Sequence, residues 1–173
     1  MEENTKNLIE MFFNLAQLIV VLAGAIWAYF RFRKENPLHP RIEFDIKCAF
    51  WGPQHNSYLT EFVLTADNKG NVDHQFNEIR LRVLGIKSGE PFSEFAKYPP
   101  MTCFNEKIID EVNIIPPKYK YYFVRPGVCQ TFNYVSQVSE DIRFILVRAT
   151  FFYEATHELH TAERVFEVRE TNV

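Results

Sequence analysis

The chain has 173 residues, of which 47% are hydrophobic and 24% are charged, a composition that suits one folded domain with a short appendage rather than a disordered protein. It carries 19 Lys and Arg against 22 Asp and Glu, so it lacks the basic excess of a general nucleic-acid binder, and we expect no nucleic-acid partner. Its 3 cysteines have no CxxC spacing, which indicates neither a zinc site nor a disulfide framework, and we predict no metal and no cofactor.

A run of residues without charge occupies 11–30 and follows a short N-terminal tail, 1–10. At about 1.5 Å per helical residue the run matches the roughly 30 Å core of a bilayer, so we predict one transmembrane helix in contact with lipid. The alternative is a cleaved signal peptide, because Ala23-Gly24-Ala25 resembles a cleavage site. The tail is acidic rather than basic, however, and a basic cluster follows the run, which favours a membrane anchor.

The C-terminal end of the run carries the residues that predict its orientation. Amphipathic aromatic rings favour the headgroup level, and cytoplasmic flanks are rich in Lys and Arg. The residues that we predict to anchor the topology are Trp27, Tyr29, Arg31, Arg33 and Lys34. The sequence therefore predicts that the basic linker, 31–40, and the chain after it lie in the cytoplasm. The N-terminus would lie outside, as in a single-pass protein of the bacterial inner membrane.

Polar and small residues recur along the run at alternating steps of three and four, which places them on one side of a helix. These residues, which we call the helix stripe, are Asn14, Gln17, Val21, Gly24 and Ala28. Amides in hydrocarbon need partners, and small residues let two helices approach closely, so the stripe predicts an interface with a second copy or with another membrane protein. The alternative stays open that Asn14 meets the headgroups and that Gly and Ala are simply frequent in membrane helices.

From residue 41 onward the hydrophobic pattern has period two, which is typical of half-buried strands. Apolar and polar residues alternate over 42–50 and again over 79–83, whereas 144–147 is apolar on both faces, as expected of a central strand. About seven such strands without a convincing helix predict an all-β fold. We expect an antiparallel β-sandwich over 41–170.

Residues 89–117 interrupt this pattern with several prolines. We predict an irregular insertion that contains a short helix at 93–98 and a short strand at 111–115. Irregular segments of this length are either functional or poorly ordered, and both alternatives stay open here. If the insertion is functional, we expect it to form the partner surface.

Short motifs in the β region resemble a known class of domain. They are TADNKGN at the end of one strand and RPGVCQTFNY followed by RFILVRATFFYE nearer the C-terminus. They resemble immunoglobulin-like sandwich domains of bacterial proteins, including the adhesion-related CARDB type, in which a strand ends in Asn-x-Gly and a Pro-Gly turn precedes the penultimate strands. The resemblance covers about residues 40–169. It departs from the type in the proline-rich insertion and in the predicted location, and it implies a binding role at most, with no catalytic residue.

Few side chains offer chemistry. His157 and His160 form the one His cluster, but no third His or Cys is near in sequence, so a polar turn is favoured over a metal site. A cationic strip for a phosphate or carboxylate is conceivable, although solvated strand faces usually show the same pattern. Its members would be Arg80, Arg82, Arg143 and Arg148. The aromatic residues of KYKYYFV are predicted to be core, and no motif of an enzyme class is present.

These features predict a single-pass membrane protein whose cytoplasmic β-sandwich binds a protein partner, as an accessory or scaffold subunit of a membrane complex. The second hypothesis is a membrane effector, as in bacterial defence systems, whose sandwich senses a small ligand and drives helix assembly. The helix stripe motivates that hypothesis. A membrane-tethered hydrolase is the third.

Overall fold

The computed structural model describes residues 2–34, 41–94, 101–154 and 158–168. They form two compact units, an N-terminal helix and a C-terminal β domain, which we describe separately. The chain is thus mostly antiparallel β-structure with one N-terminal apolar helix.

The N-terminal unit is the helix α1, Glu2–Lys34. It extends beyond the uncharged run 11–30 at both ends, where Glu, Lys and Arg are good helix formers. The acidic residues stand at its N-terminus and the basic residues at its C-terminus, the arrangement that the helix dipole favours. Within α1, the segment Ile9–Arg31 is long and apolar enough to cross a membrane.

The described part of the β domain contains eight strands. In chain order they are β1 Ile42–Gln54, β2 Ser57–Asn68, β3 His74–Lys87, β4 Glu106–Asn113, β5 Tyr122–Val124, β6 Cys129–Ser139, β7 Ile142–Tyr153 and β8 Leu159–Glu167. One sheet has three strands in the order β1-β2-β6, and the other has five, in the order β4-β3-β7-β8 with β5 paired to the start of β3. All of these pairs are antiparallel.

The two sheets share one hydrophobic core. Phe62 of the first sheet and Phe76 and Phe151 of the second are fully buried. Phe44 of β1 stacks on Phe151 with ring centroids 4.0 Å apart and meets the edge of Phe76 at 6.0 Å. Burial alternates along β2 and β7 as the period-two pattern predicts, which confirms the strand predictions for these segments.

The insertion differs from the prediction. The strand expected at 111–115 begins earlier, since β4 covers Glu106–Asn113, and it pairs with β3 through two register shifts. Such irregular pairing breaks the alternation by which strands are found in sequence. The helix predicted at 93–98 and the linker residues 35–40 lie mostly or wholly outside the described residues.

Asn68, the last residue of β2, is fully buried and organises one end of the β domain. Its side-chain amide nitrogen donates hydrogen bonds to the carbonyl oxygens of Val72 at 2.8 Å and Val124 at 2.9 Å. Its side-chain oxygen accepts one from the backbone N–H of Gly70 at 2.9 Å. One amide therefore satisfies partly buried backbone groups of the β2–β3 turn and a buried carbonyl group of β5.

The backbone of the same turn joins two further segments. The Asn68 N–H donates to the carbonyl oxygen of Val128 at 3.1 Å, and the Gly127 N–H donates to the Asn68 carbonyl oxygen at 2.8 Å. The Lys69 N–H donates to the carbonyl oxygen of Arg41 at 2.8 Å. Since Arg41 is the first described residue after the linker, we call this the linker end of the domain. The β1–β2 turn, where His55 and Asn56 both have positive φ, marks the opposite hairpin end.

We expect Asn68→Ala to destabilise the β domain by about 2 to 4 kcal/mol, because it leaves buried carbonyl groups without a donor. Thermal unfolding of the full chain in mild detergent, followed by near-ultraviolet circular dichroism, should show a transition about 10 °C lower. The matched control is Asn133→Ala, which removes an exposed hydrogen bond to Glu61. It should change the stability by less than about 0.5 kcal/mol, and equal effects of the two substitutions would contradict the role assigned to Asn68.

Candidate functional site

The apolar segment of α1 exposes its side chains. None of the segment is buried, and Phe12, Phe13 and Val20 are exposed by 66%, 73% and 70%. In a soluble protein, an apolar surface this continuous would have to be covered by other parts of the structure. The length and composition of the α1 segment are those of a segment that lipid can cover.

The predicted anchor residues lie together at the C-terminal end of this segment. The guanidinium carbon of Arg31 lies 5.7 Å from the centroid of the Trp27 ring, within the range of a cation–π contact. Tyr29 meets the edge of the Phe30 ring at 5.8 Å. The backbone of Arg33 and Lys34 is helical. The aromatic rings and the first basic group thus occupy one turn of the helix.

The helix stripe is open to its surroundings. Asn14, Gln17, Val21 and Gly24 are exposed, and Ala28 is half-buried. A Cβ placed on Gly24 would meet nothing within 4 Å. The stripe therefore offers two amides and a smooth surface of small residues on which another helix can pack.

A second surface was missed in the sequence. Of residues 119–123 only Tyr122 is partly buried, and Tyr119, Tyr121 and Phe123 are exposed by 46%, 40% and 45%. Tyr122 points inward and packs on Phe132 with ring centroids 5.2 Å apart. The prediction that the aromatic residues of KYKYYFV are core is therefore wrong for the three outward rings. In the sequence, the exposed position of these rings was indicated by the cations that flank them, Lys118, Lys120 and Arg125.

The three outward rings border an open groove of about 470 Å³ together with Val128, which is 43% exposed. The ammonium nitrogen of Lys118 lies 4.8 Å from the Tyr119 ring centroid, and the guanidinium carbon of Arg125 lies 5.3 Å from that of Phe123. We call these six residues the aromatic-basic surface: Lys118, Tyr119, Tyr121, Phe123, Arg125 and Val128. It adjoins the linker end, because Val124 and Val128 are both bonded to Asn68.

Polar side chains near the linker end form a partly buried cluster. The ring nitrogen Nδ1 of His160 lies 2.9 Å from the hydroxyl oxygen of Tyr153, whose ring meets the edge of the His74 ring at 5.5 Å. Burial lowers the pKa of His74, which is 6% exposed, and raises the pKa of Tyr153. Both side chains are consequently uncharged at neutral pH. Only His160 and Tyr153 share a hydrogen bond, whereas His74 contributes ring packing and its buried Nε2 atom has no hydrogen-bond partner among the described residues. His157 lies outside the described residues.

The arginines of the proposed cationic strip have carboxylate neighbours. Arg80 pairs with Glu78 at 2.7 Å, and Arg148 pairs with Glu163 at 3.1 Å. Arg143 forms an ion pair with Glu167 at 2.6 Å, and Arg82 lies beside Arg148 across the β3–β7 ladder. Because three of the four guanidinium groups already face a carboxylate, these strands offer little net positive charge to an anion. The four arginines are therefore better described as part of a solvated strand face than as an anion-binding strip.

The remaining polar groups of the described residues include residue types that can serve as metal ligands or as nucleophiles. Among the residues that the structure describes, no three His, Cys, Asp or Glu side chains are placed to hold a metal ion. Burial raises the pKa of the Cys48 thiol to about 12, so it stays protonated and unreactive, while Cys129 is exposed. A cavity of about 450 Å³ at the hairpin end is lined by residues that include Trp51, His55 and Gln137.

Comparison with known proteins gives weak likenesses only. No family model matches the chain, and no curated protein is significantly similar to it. An X-ray structure of a Northeast Structural Genomics Consortium target is 13% identical with a TM-score of 0.46, over 75% of this chain and 87% of that one. The putative ApaA protein from Bordetella pertussis is 14% identical with a TM-score of 0.47, over 78% and 97%. A FixG-related protein from Vibrio parahaemolyticus is 12% identical with a TM-score of 0.34, over 72% and 94%. Similarity at this level carries no argument about function.

Proposed function

We propose that this protein is a single-pass membrane protein whose β domain is a non-catalytic binding module, an accessory or scaffold subunit of a membrane complex. The observation that carries the proposal is the exposed apolar segment Ile9–Arg31, which requires a covering that lipid supplies. The cation–π pair of Trp27 and Arg31 at its end supports an interfacial anchor.

We also propose the finer features of this arrangement. The Lys and Arg residues that follow the span support a cytoplasmic β domain and an N-terminus outside, as in the bacterial inner membrane. Two antiparallel sheets around one core support an immunoglobulin-like sandwich. A binding role is supported by large apolar side chains on the outer sheet faces, such as Trp51, Leu59 and Val165, which are 46%, 49% and 52% exposed.

The helix stripe is proposed as the contact with a second copy or another membrane subunit. Its open amides and the free space around Gly24 support this. The same feature favours the effector hypothesis, in which ligand binding to the β domain drives helix assembly. An effector would be toxic when overproduced and would lose that toxicity with Asn14→Leu or Gln17→Leu, whereas a scaffold would copurify with a partner and would not be toxic.

We expect the full chain to remain in the membrane pellet after alkaline carbonate washing. The double variant Leu18→Arg/Leu22→Arg should shift most of the chain to the supernatant, because each Arg near the centre of a span costs about 2.5 to 3.5 kcal/mol. The matched control is Leu59→Arg/Val135→Arg, which changes two similarly exposed residues of the β domain. Its distribution should equal that of the unmodified chain. A soluble unmodified chain would refute the membrane anchor.

Labelling of the exposed Cys129 shows on which side of the membrane the β domain lies. We expect a membrane-impermeant maleimide to leave Cys129 unlabelled in intact spheroplasts and to label it after permeabilisation. Cys48, with its raised pKa of about 12, should react much more slowly. Loss of the label in Cys129→Ser identifies the site, and labelling before permeabilisation would overturn the cytoplasmic assignment.

We expect Gly24→Leu to weaken helix association by about tenfold or more, since it places a large side chain where two backbones should meet. Ala23→Leu is the matched control, because residue 23 lies on the opposite side of the helix from the stripe. Energy transfer between labelled full chains in vesicles, measured as the lipid-to-protein ratio rises, gives both association constants. Equal values for the two variants would exclude the stripe as the interface.

A further inference from the structure

We propose that the aromatic-basic surface of the β domain docks on the headgroups of an anionic lipid bilayer. This inference rests on the proposed function, since it requires that α1 spans a membrane. It adds a second membrane contact, made by the β domain itself, through residues that lie far from α1 in sequence.

The chemistry of the surface fits an interface between water and lipid. Tyr rings place an apolar body beside a polar hydroxyl, and such rings are enriched where hydrocarbon meets headgroups. Tyr119, Tyr121 and Phe123 are each 40% exposed or more, although their apolar area would be better covered. Headgroup-level burial covers the rings and leaves the hydroxyl groups hydrated.

The charge of the surface fits an anionic partner. Lys118, Lys120 and Arg125 lie within a stretch that holds no Asp or Glu from residue 112 to residue 139. These cations are exposed, and within the described residues none of them forms an ion pair with a carboxylate, in contrast to Arg80, Arg143 and Arg148. Each Lys or Arg near an anionic membrane surface strengthens attraction to it appreciably. The acidic residues closest in the sheet register are Asp73, Glu154 and Asp67. Asp73 precedes His74, which pairs with Val124, and the Glu154 N–H donates to the carbonyl oxygen of Gln75, which pairs with Phe123. Asp67 lies opposite Cys129.

The position of the surface fits a bilayer that holds α1. Six residues, 35–40, join Lys34 to Arg41, and an extended chain covers at most about 3.6 Å per residue. The chain alone therefore keeps Arg41 within about 25 Å of the last helical residue. Arg41, Lys69 and Val128 are held together through the Asn68 turn, so this end of the domain, and the aromatic-basic surface beside it, stay within reach of the headgroups.

Quenching of single tryptophans by brominated lipids tests the proposal on the full chain in vesicles. The reporter of docking is Phe123→Trp in a Trp27→Phe/Trp51→Phe background. Trp27 alone, in Trp51→Phe, reports the span. Trp51 alone, in Trp27→Phe, is the matched control, because it is 46% exposed, like Phe123, but lies at the hairpin end.

We expect strong quenching of Trp27 in all vesicles and quenching at position 123 only when the vesicles contain phosphatidylglycerol. Trp51 should not be quenched. In the docking reporter, Lys118→Gln and Arg125→Gln should each reduce the docking equilibrium constant about fivefold. Lys47→Gln, an exposed cation elsewhere on the domain, should leave it unchanged.

Three outcomes would overturn the proposal. If Trp27 is quenched but position 123 is quenched no more than Trp51, docking is wrong and the membrane anchor stands. If the emission at position 123 shifts to the blue with rising protein density and without lipid quenching, a second copy covers the surface instead. If Trp27 itself is not quenched, the membrane anchor is refuted, and docking with it. This result is distinguishable from the first one, in which Trp27 is quenched and only docking fails.

Discussion

The buried amide of Asn68 is the interaction on which the linker end of the β domain depends. Two donors and one acceptor on a single side chain bond to three backbone groups in the β2–β3 turn and in β5. Strand β5 has only three residues and pairs with three residues of β3, so the bond from Asn68 to Val124 is a large part of what holds it. Without the Asn68 amide, the buried carbonyl oxygen of Val124 would lack this hydrogen-bond donor, which would lower the free energy of unfolding. The amide of Asn68 thus helps to place the outward aromatic rings, together with the pairing of β5 to β3 and the packing of Tyr122 on Phe132.

The strands with one buried face were predictable, because burial imposes the alternation that the sequence records. In β2 each second residue from Thr60 to Asn68 is buried, and the doubly apolar stretch 144–147 lies in β7, between β3 and β8, as a central strand should. Strand β4 was placed wrongly because its pairing with β3 changes register twice. A bulge leaves neighbouring residues on one face, and a rule of period two then fails.

The two candidate surfaces differ in how much of them a sequence can reveal. The helix segment is contiguous, so its lack of charge and its basic flank are visible without a structure. The aromatic-basic surface needs a fold, since Val128 joins the rings only through the turn bonded to Asn68. The motif TADNKGN was predicted to end a strand, and Asn68 is the last residue of β2. Composition cannot show, however, that its amide is buried and serves distant segments.

The long β1–β2 hairpin separates two electrostatic environments. From Ile42 at the linker end to Trp51 near the turn the strand advances nine residues, or about 30 Å at 3.3 Å per residue. This is more than three times the screening length of about 8 Å in physiological salt. Charges at one tip therefore exert almost no force at the other. A change of charge beside Trp51 therefore leaves the response of the opposite tip to ions unchanged.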